Sequence, residues 1–356
     1  MMKKLTILVL LLALVLPVFA AGGKEGAAKE APLVTFLMPT KEQPIWPAQG
    51  EQLVKRFSEA GYRTRLEFAE DVIERQVAQI ENAVLVGTDY LVIAAVDSYT
   101  LSDAVEKAKR EGVTIIANDR LIMNTKAVDF YVTFDLFELG VSQGTYIEQK
   151  LGLDKGAKGP FNLEIIGGSP DDPNSQVFYN GAMSVLKKYL DSGALVVPSG
   201  QVEFNVIATL NWDSSKAQSR MDNLLGAYYT DKNVDVVLAA ADCVALGAVS
   251  ALASMGYGTP ARPFPIVTGQ DCELTAIKSI MSGQQSMTMF LDPKVLAEKT
   301  FEVISAYERG EQPKADGEFY NDMINVPAAM YDTVVVDKDN WEVVVERGFY
   351  TEDDLK

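Results

Sequence analysis

Histidine is absent from the 356 residues of this chain, and cysteine occurs only twice. Without imidazole there is no Ser-His-Asp triad, no histidine general base and no histidine-ligated zinc or haem, which removes a large share of hydrolase and metalloenzyme chemistry. Cations are also scarce: 32 Lys and Arg stand against 49 Asp and Glu, a formal net charge of −17. Phosphate backbones are held by clustered Lys and Arg, so this balance argues against a nucleic-acid partner. No apolar run reaches the roughly twenty residues that span a bilayer. What is present is a chain with 48% hydrophobic and 23% charged residues, apolar enough to build packed cores and to exclude wholesale disorder. Its length suits two domains of ordinary size.

At the N-terminus, Lys3 and Lys4 precede an apolar stretch over 5–16, followed by the helix-breaking Pro17 and small residues at Ala20 and Ala21. This order predicts a signal peptide over 1–20, cleaved after Ala20, and an exported, soluble protein in the periplasm. No cysteine lies near the cleavage point to carry a lipid anchor. The Gly-rich, charged stretch 21–32 has no apolar period and is expected to be a flexible leader.

From residue 33 onward, short β-like runs alternate with amphipathic helical stretches, the pattern of parallel βαβ units. Strands are expected at 33–38, 62–68, 90–95, 113–117, 162–166, 234–240 and 265–268. Helical spacing of apolar residues marks 49–60, 73–86, 101–111, 136–151, 175–190, 215–229, 244–255 and 272–281. Continuous apolar runs such as Leu91-Val92-Ile93-Ala94-Ala95 indicate sheets covered on both faces. The fold class is an open α/β architecture, two sheets given the length, and ligands of such sheets sit at the carboxyl ends of the strands.

Polar residues recur at those ends: Thr40-Lys41 with Trp46, Asp97-Ser98, Asn118-Asp119-Arg120, Phe134-Asp135, Gly168-Ser169 with Asp171-Asp172-Pro173-Asn174, Asp242-Cys243 and Gln270-Asp271-Cys272. Carboxylates accept paired hydrogen bonds from vicinal hydroxyls, and planar rings cover the C–H face of a pyranose, so the set describes a polyol site. Taken singly, each Asp or Asn is better explained as a helix cap or turn residue. Their number along one edge favours the site.

Seven segments carry a family resemblance: LMPTKEQPIW (37–46), VIAAVDSYTL (92–101), ANDRLIMNT (117–125), VTFDLFELGV (132–141), GPFNLEIIGGSPDDPNSQVFYNGAMSVL (159–186), ATLNWDSSKAQSRMDNLL (208–225) and VTGQD (267–271). Over nearly the whole expected mature chain, the sequence resembles a periplasmic sugar-binding protein of the ribose/galactose-binding class (type I periplasmic binding protein), within the multiple-sugar-binding subgroup typified by the agrobacterial virulence sugar sensor. The resemblance implies two Rossmann-like lobes with parallel sheets, joined by a three-segment hinge and closing over one ligand. The N-terminal lobe would comprise 33–134 and 293–312, and the C-terminal lobe 135–292 and 313–356, with crossings near 134–135, 291–293 and 312–314. Trp46 and Trp212 would sandwich the sugar ring. Asp119 and Arg120, followed by Asn174, Asp242 and Asp271, would bind its hydroxyls. The resemblance implies a monosaccharide ligand, an ABC permease in the inner membrane and a monomeric receptor with no cofactor or metal. A chemoreceptor or sensor kinase is a further partner known for the subgroup, which no residue here marks.

Several positions depart from the pattern. Ile45 stands where close relatives carry an Arg, Leu291 where a long polar residue is usual, and Phe178 where ribose and galactose binders have an Arg. These changes keep a second ligand class open: a nucleoside, an inositol or a furanosyl signal. Cys243 and Cys272 follow Asp242 and Asp271, where relatives have small residues, and are either bridged or two free thiols. A calcium loop over Asp231, Asn233, Asp235 and Asp242 is rejected, because Val236 replaces the needed Gly and lies in an expected strand. A glycosidase would need two carboxylates across a sugar bond and room for a leaving group. A transcriptional regulator of the same fold would need an N-terminal helix-turn-helix where the signal peptide stands. The expected function is therefore binding without catalysis, as the substrate-binding component of a sugar importer.

Overall fold

A computed structural model describes residues 30–356. The expected signal peptide (1–20) and leader (21–32), apart from the last three leader positions, lie outside the described residues.

The first sheet is built from β1 (Leu33–Met38), β2 (Arg63–Phe68), β3 (Tyr90–Ile93), β4 (Thr114–Asn118) and β5 (Phe130–Phe134), with α1 (Ile45–Glu59), α2 (Ile73–Leu85) and α3 (Ser102–Arg110) as crossovers. The strands run parallel in the order β5-β4-β3-β1-β2. Burial of every residue of β1, β3 and β5 is what helices on both faces produce. The turn after α1 passes through Gly61 at φ +86, a left-handed position that carries no Cβ penalty at glycine. Phe57 meets Phe36, Tyr62 and Phe301 edge-on, with centroids 5.3–5.4 Å away. This cluster pins α1 to the sheet.

The chain then builds a second sheet from α4 (Leu136–Lys150), β6 (Phe161–Ile166), α5 (Pro173–Ser192), β7 (Leu195–Val196), the short α6 (Phe204–Ile207), α7 (Ser214–Tyr228), β8 (Val236–Ala239), α8 (Asp242–Ser254), β9 (Ile266–Val267), α9 (Leu274–Met281) and β10 (Met287–Phe290). Strand order is β7-β6-β8-β9. Backbone bonds from Ser286 N to Val267 O (3.0 Å) and from Asp271 N to Met289 O (2.9 Å) carry the layer on to β10. Helices α4 and α5 approach closely: a Cβ on Gly140 would lie 2.0 Å from the Phe178 carbonyl oxygen, and one on Gly181 would lie 2.2 Å from that of Phe137. Only glycine permits this distance.

Helix α10 (Pro293–Glu308) returns to the first lobe, and the remaining elements are β11 (Gly317–Tyr320), β12 (Asn325–Tyr331), β13 (Val334–Asp337) and α11 (Val343–Glu346). Here one expected boundary is corrected. Strand β12 pairs in parallel with β5, Tyr331 opposite Phe134, and β11 pairs with β12, so 317–331 complete the first sheet. The third crossing falls at Asp332-Thr333, not near 312–314, because Val334 is the first residue paired with β10, opposite Phe290. Pro313 sits in the loop between α10 and β11, within the first lobe. The three crossings thus lie side by side, at 134–135, 291–292 and 332–333.

Candidate functional site

The carboxyl ends of both sheets face one cavity between the lobes, where ligands of open α/β sheets sit. The first lobe contributes Gln43, Ile45 and Trp46 from the entry to α1, Asp119 and Arg120 after β4, and Phe134 at the end of β5. The second lobe contributes Asp172, Asn174 and Phe178 around the start of α5, Trp212 before α7, and Cys243 at the start of α8. Gln270 and Asp271 beyond β9 and Leu291 at a crossing complete the lining.

Trp46 is 3% exposed, and its indole N–H donates to Gln43 Oε1 (3.0 Å). The Arg120 guanidinium lies 4.9 Å from the Trp46 ring centroid. Trp212 follows Asn211 through two left-handed residues, φ +61 and +55, and lies against bare backbone: a Cβ on Gly168 would be 2.2 Å from Trp212 Cη2. Its Nε1 makes no hydrogen bond of ordinary geometry but lies near enough to Asp172 to favour that group's charged form.

Asp119, held at φ +63, accepts from Gln49 Nε2 on Oδ2 (2.8 Å). Burial pushes its carboxyl up to about 6. Arg120 Nη1 donates to the carbonyls of Ala95 (3.0 Å) and Val96 (3.3 Å), and its Nε lies 3.1 Å from Asp172 Oδ2 across the cleft. Asp172 also caps α5 by accepting from Asn174 N (3.0 Å). Burial raises the Asp172 carboxyl, opposed by the Arg120 charge. Asp271 (φ +93) makes no side-chain hydrogen bond among the described residues. Burial first, then repulsion from Asp242, Glu273 and Asp119, holds its carboxyl well above the usual range. Gln270 is buried with Oε1 unpartnered. The lining therefore sets the unpartnered Asp271 carboxyl and Gln270 Oε1 beside two further carboxyl groups, which together outnumber the one guanidinium. Such a site suits a neutral, hydroxyl-rich ligand and repels an anion.

Six of the seven residues singled out from the sequence line this cavity: Trp46, Asp119, Arg120, Asn174, Trp212 and Asp271. Asp242 does not, and its expected hydroxyl-binding role is corrected. Its side chain is fully buried behind the cavity, accepting from Gln285 Nε2 (2.7 Å) on Oδ1, and from Thr288 Oγ1 (2.8 Å) and Glu273 N (3.0 Å) on Oδ2. Those bonds tie α8 to β10 and to the turn that presents Asp271. Asp172 and Gln270 belong to the strand-end set of the sequence but not to the positions the resemblance assigns to the ligand, and Gln43 is marked by neither; all three line the cavity.

Ile45, Phe134, Phe178 and Leu291 give the lining an apolar share, with Phe134 stacked on Phe178 at 5.8 Å and 18°. Both cysteines are free thiols. Cys243 borders the cavity, whereas Cys272 is packed with Ile277, Ile280 and Phe290. Asp271 and Cys272 both have positive φ (+93 and +53), a reversal that sends successive side chains to opposite sides. In the rejected calcium loop, Asp235 is committed to Asn162 N (2.7 Å), Asn233 to the Arg262 guanidinium (3.0 Å) and Asp242 to the bonds above. No cluster of metal-ligating side chains occurs among the described residues.

Two α/β lobes with adjacent crossings and a cavity lined from both sides define a hinged receptor that encloses a small polar ligand. The chain belongs to the periplasmic binding protein domain family, which matches residues 34–312. It is 48% identical over 341 residues to the multiple sugar-binding periplasmic protein SbpA of Azospirillum brasilense, covering 95% of each chain. It is likewise 48% identical over 326 residues to the multiple sugar-binding periplasmic receptor ChvE of Rhizobium radiobacter, covering 91% of this chain and 92% of that one. Among solved structures, an ABC transporter solute-binding protein from Clostridium phytofermentans with bound β-D-glucose superposes with TM-score 0.86 at 41% identity, covering 91% of this chain and all of that one.

Proposed function

We propose that this chain is the substrate-binding component of an ABC-type sugar importer, capturing an aldohexose or aldopentose between its lobes by hinge closure. The observation that carries this reading is the cavity itself. Two buried tryptophans, one from each lobe, border it together with Asp119, Asp271, Gln270 and Arg120. Ring faces would cover the sugar's C–H surfaces while the carboxylates and guanidinium bind hydroxyls at the rim. The sugar-binding names of SbpA and ChvE and the glucose in the Clostridium protein support the same ligand class. Asp242 contributes by positioning Asp271.

The N-terminal apolar segment and the family together support export to the periplasm, and ligand-biased closure supplies the surface change by which a membrane permease would favour the loaded form. A chemoreceptor or sensor kinase would read the same change. The protein acts in this scheme as a monomer and by binding alone, with no catalytic step. The apolar Ile45 and Leu291 in the lining favour a second reading, in which the transport role holds and the ligand is an inositol, a nucleoside or a furanosyl compound.

A thermal-shift screen of ligand-stripped protein tests this function, since a ligand that binds only the native state raises the melting temperature. Stabilisation by glucose, galactose, xylose or arabinose is expected. Stabilisation by nucleosides or inositols alone would overturn the sugar assignment.

A further inference from the structure

Beyond β13 the chain forms the short helix α11 and a turn-rich segment over 347–356, and this stretch is folded onto the second lobe. Val344 and Leu355 are buried with Cys272, Ile277, Ile280 and Phe290. The Phe349 ring lies 5.2 Å from that of Phe290 and 4.5 Å from that of Tyr350. So anchored, the Tyr350 hydroxyl donates to the main-chain carbonyl of Cys272 (3.0 Å). Tyr350 does not line the cavity. Its acceptor belongs to the reversal that presents Asp271. Asp271 and Cys272 both have positive φ, +93 and +53, and neither is glycine. Side chains carry a steric cost there, so such a reversal persists only where its surroundings over-determine it. Three of the bonds that hold it come from the body of the lobe and restrain N–H groups: Asp271 N to Met289 O (2.9 Å), Cys272 N to Thr288 Oγ1 (3.3 Å) and Glu273 N to Asp242 Oδ2 (3.0 Å). Tyr350 restrains the carbonyl between them.

We infer that Tyr350 is a positioning residue for the ligand: its hydroxyl holds the reversal at 271–272 and with it the aim of the Asp271 carboxyl into the cavity. This inference rests on the cavity being the ligand site. The Asp271 side chain makes no hydrogen bond of its own among the described residues, so its direction depends on the main chain that carries it. A segment that contributes nothing to the lining thereby sets the strength of one polar contact within it. The effect of Tyr350 is confined to ligands bearing the hydroxyl that Asp271 binds.

Isothermal titration of wild type, Tyr350→Phe and Asp271→Ala tests this role. The ligands are the tightest-binding member of a panel of aldohexoses, aldopentoses, inositols and nucleosides, together with its monodeoxy analogues. Tyr350→Phe keeps the ring against Phe349 and removes only the hydroxyl. Loss of that bond predicts a rise in Kd of about 2–10-fold for the parent ligand. The analogue whose Kd Asp271→Ala changes least lacks the hydroxyl that Asp271 binds. Tyr350→Phe should spare that same analogue and weaken the others, the non-additivity of groups that act through one contact. A role in stability alone would leave every Kd unchanged or raise all of them equally, and either pattern would overturn the inference while leaving sugar binding intact. Sparing of a different analogue, or unchanged parent affinity in Asp271→Ala, would overturn it as well. Matched sparing with an inositol or nucleoside as the only parent would support the role of Tyr350 and overturn the sugar assignment. Binding by no panel member would overturn both.

Discussion

Two substitutions separate the contributions of Asp242, fully buried behind the cavity, and Asp271, which lines it. Asp242→Ala removes acceptors from Gln285 Nε2, Thr288 Oγ1 and Glu273 N, all tied to a fully buried carboxylate. Three such bonds are worth about 1–2 kcal/mol each. Relief of the charge's own desolvation offsets part of this, leaving a destabilisation of roughly 2–5 kcal/mol. At about 2 °C per kcal/mol, the melting temperature should fall by roughly 4–10 °C. Asp271→Ala removes a desolvated carboxylate that has no hydrogen-bond partner and lies in a field of other carboxylates, so stability should hold or rise while ligand affinity collapses. Calorimetric melting and isothermal titration on both variants read the two effects separately. If Asp242→Ala melts like wild type while losing affinity as severely as Asp271→Ala, the assignment of Asp242 to scaffolding is refuted.

Gly140→Ala drives a methyl into the Phe178 carbonyl and should cost about 1–3 kcal/mol, visible in urea unfolding; a neutral result would contradict the close α4–α5 contact. The pH dependence follows from Asp119, raised to about 6, and Glu273, raised by burial to about 7. A carboxyl raised in the folded state stabilises fully below its unfolded value, and that stability is lost as pH rises through its folded value. Melting temperature should therefore climb as pH falls from about 7.5 toward 5, and a flat or falling profile would contradict these burials. With both cysteines free, unreduced protein unfolded in denaturant should titrate two thiols; none would establish a bridge.

Much of the first lobe is legible from pattern alone. Strands β1, β3 and β4 are near-continuous apolar runs and β2 is a mixed edge strand, and each falls within about two residues of its expected bounds. Strand β5 shows in the sequence only as a strand end, and β7 has two paired residues, too few to show a period; the equally short β9 falls inside the expected strand at 265–268. Strand β12 contains Pro327 and joins β5 some two hundred residues away in sequence, a pairing no local signal encodes. It displaced the third crossing. At the site, residue types at strand ends located the cavity, but orientation did not follow from type. Asp242 and Asp271 differ because a left-handed reversal at 271–272 turns one carboxylate to the cleft, while Gln285 and Thr288 capture the other. Cys272, one residue beyond Asp271, is packed in the core with Ile277, Ile280 and Phe290.

Isothermal titration of D-glucose, D-galactose, D-xylose and L-arabinose into ligand-stripped wild type and Trp212→Ala tests the central claim most directly. The account predicts one site per chain with Kd in the micromolar range, about −8 kcal/mol, for at least one sugar in wild type. No measurable binding is expected in a Trp212→Ala protein that remains folded by circular dichroism. Unchanged affinity in that variant, or the absence of binding by any of the four sugars to wild type, would contradict it.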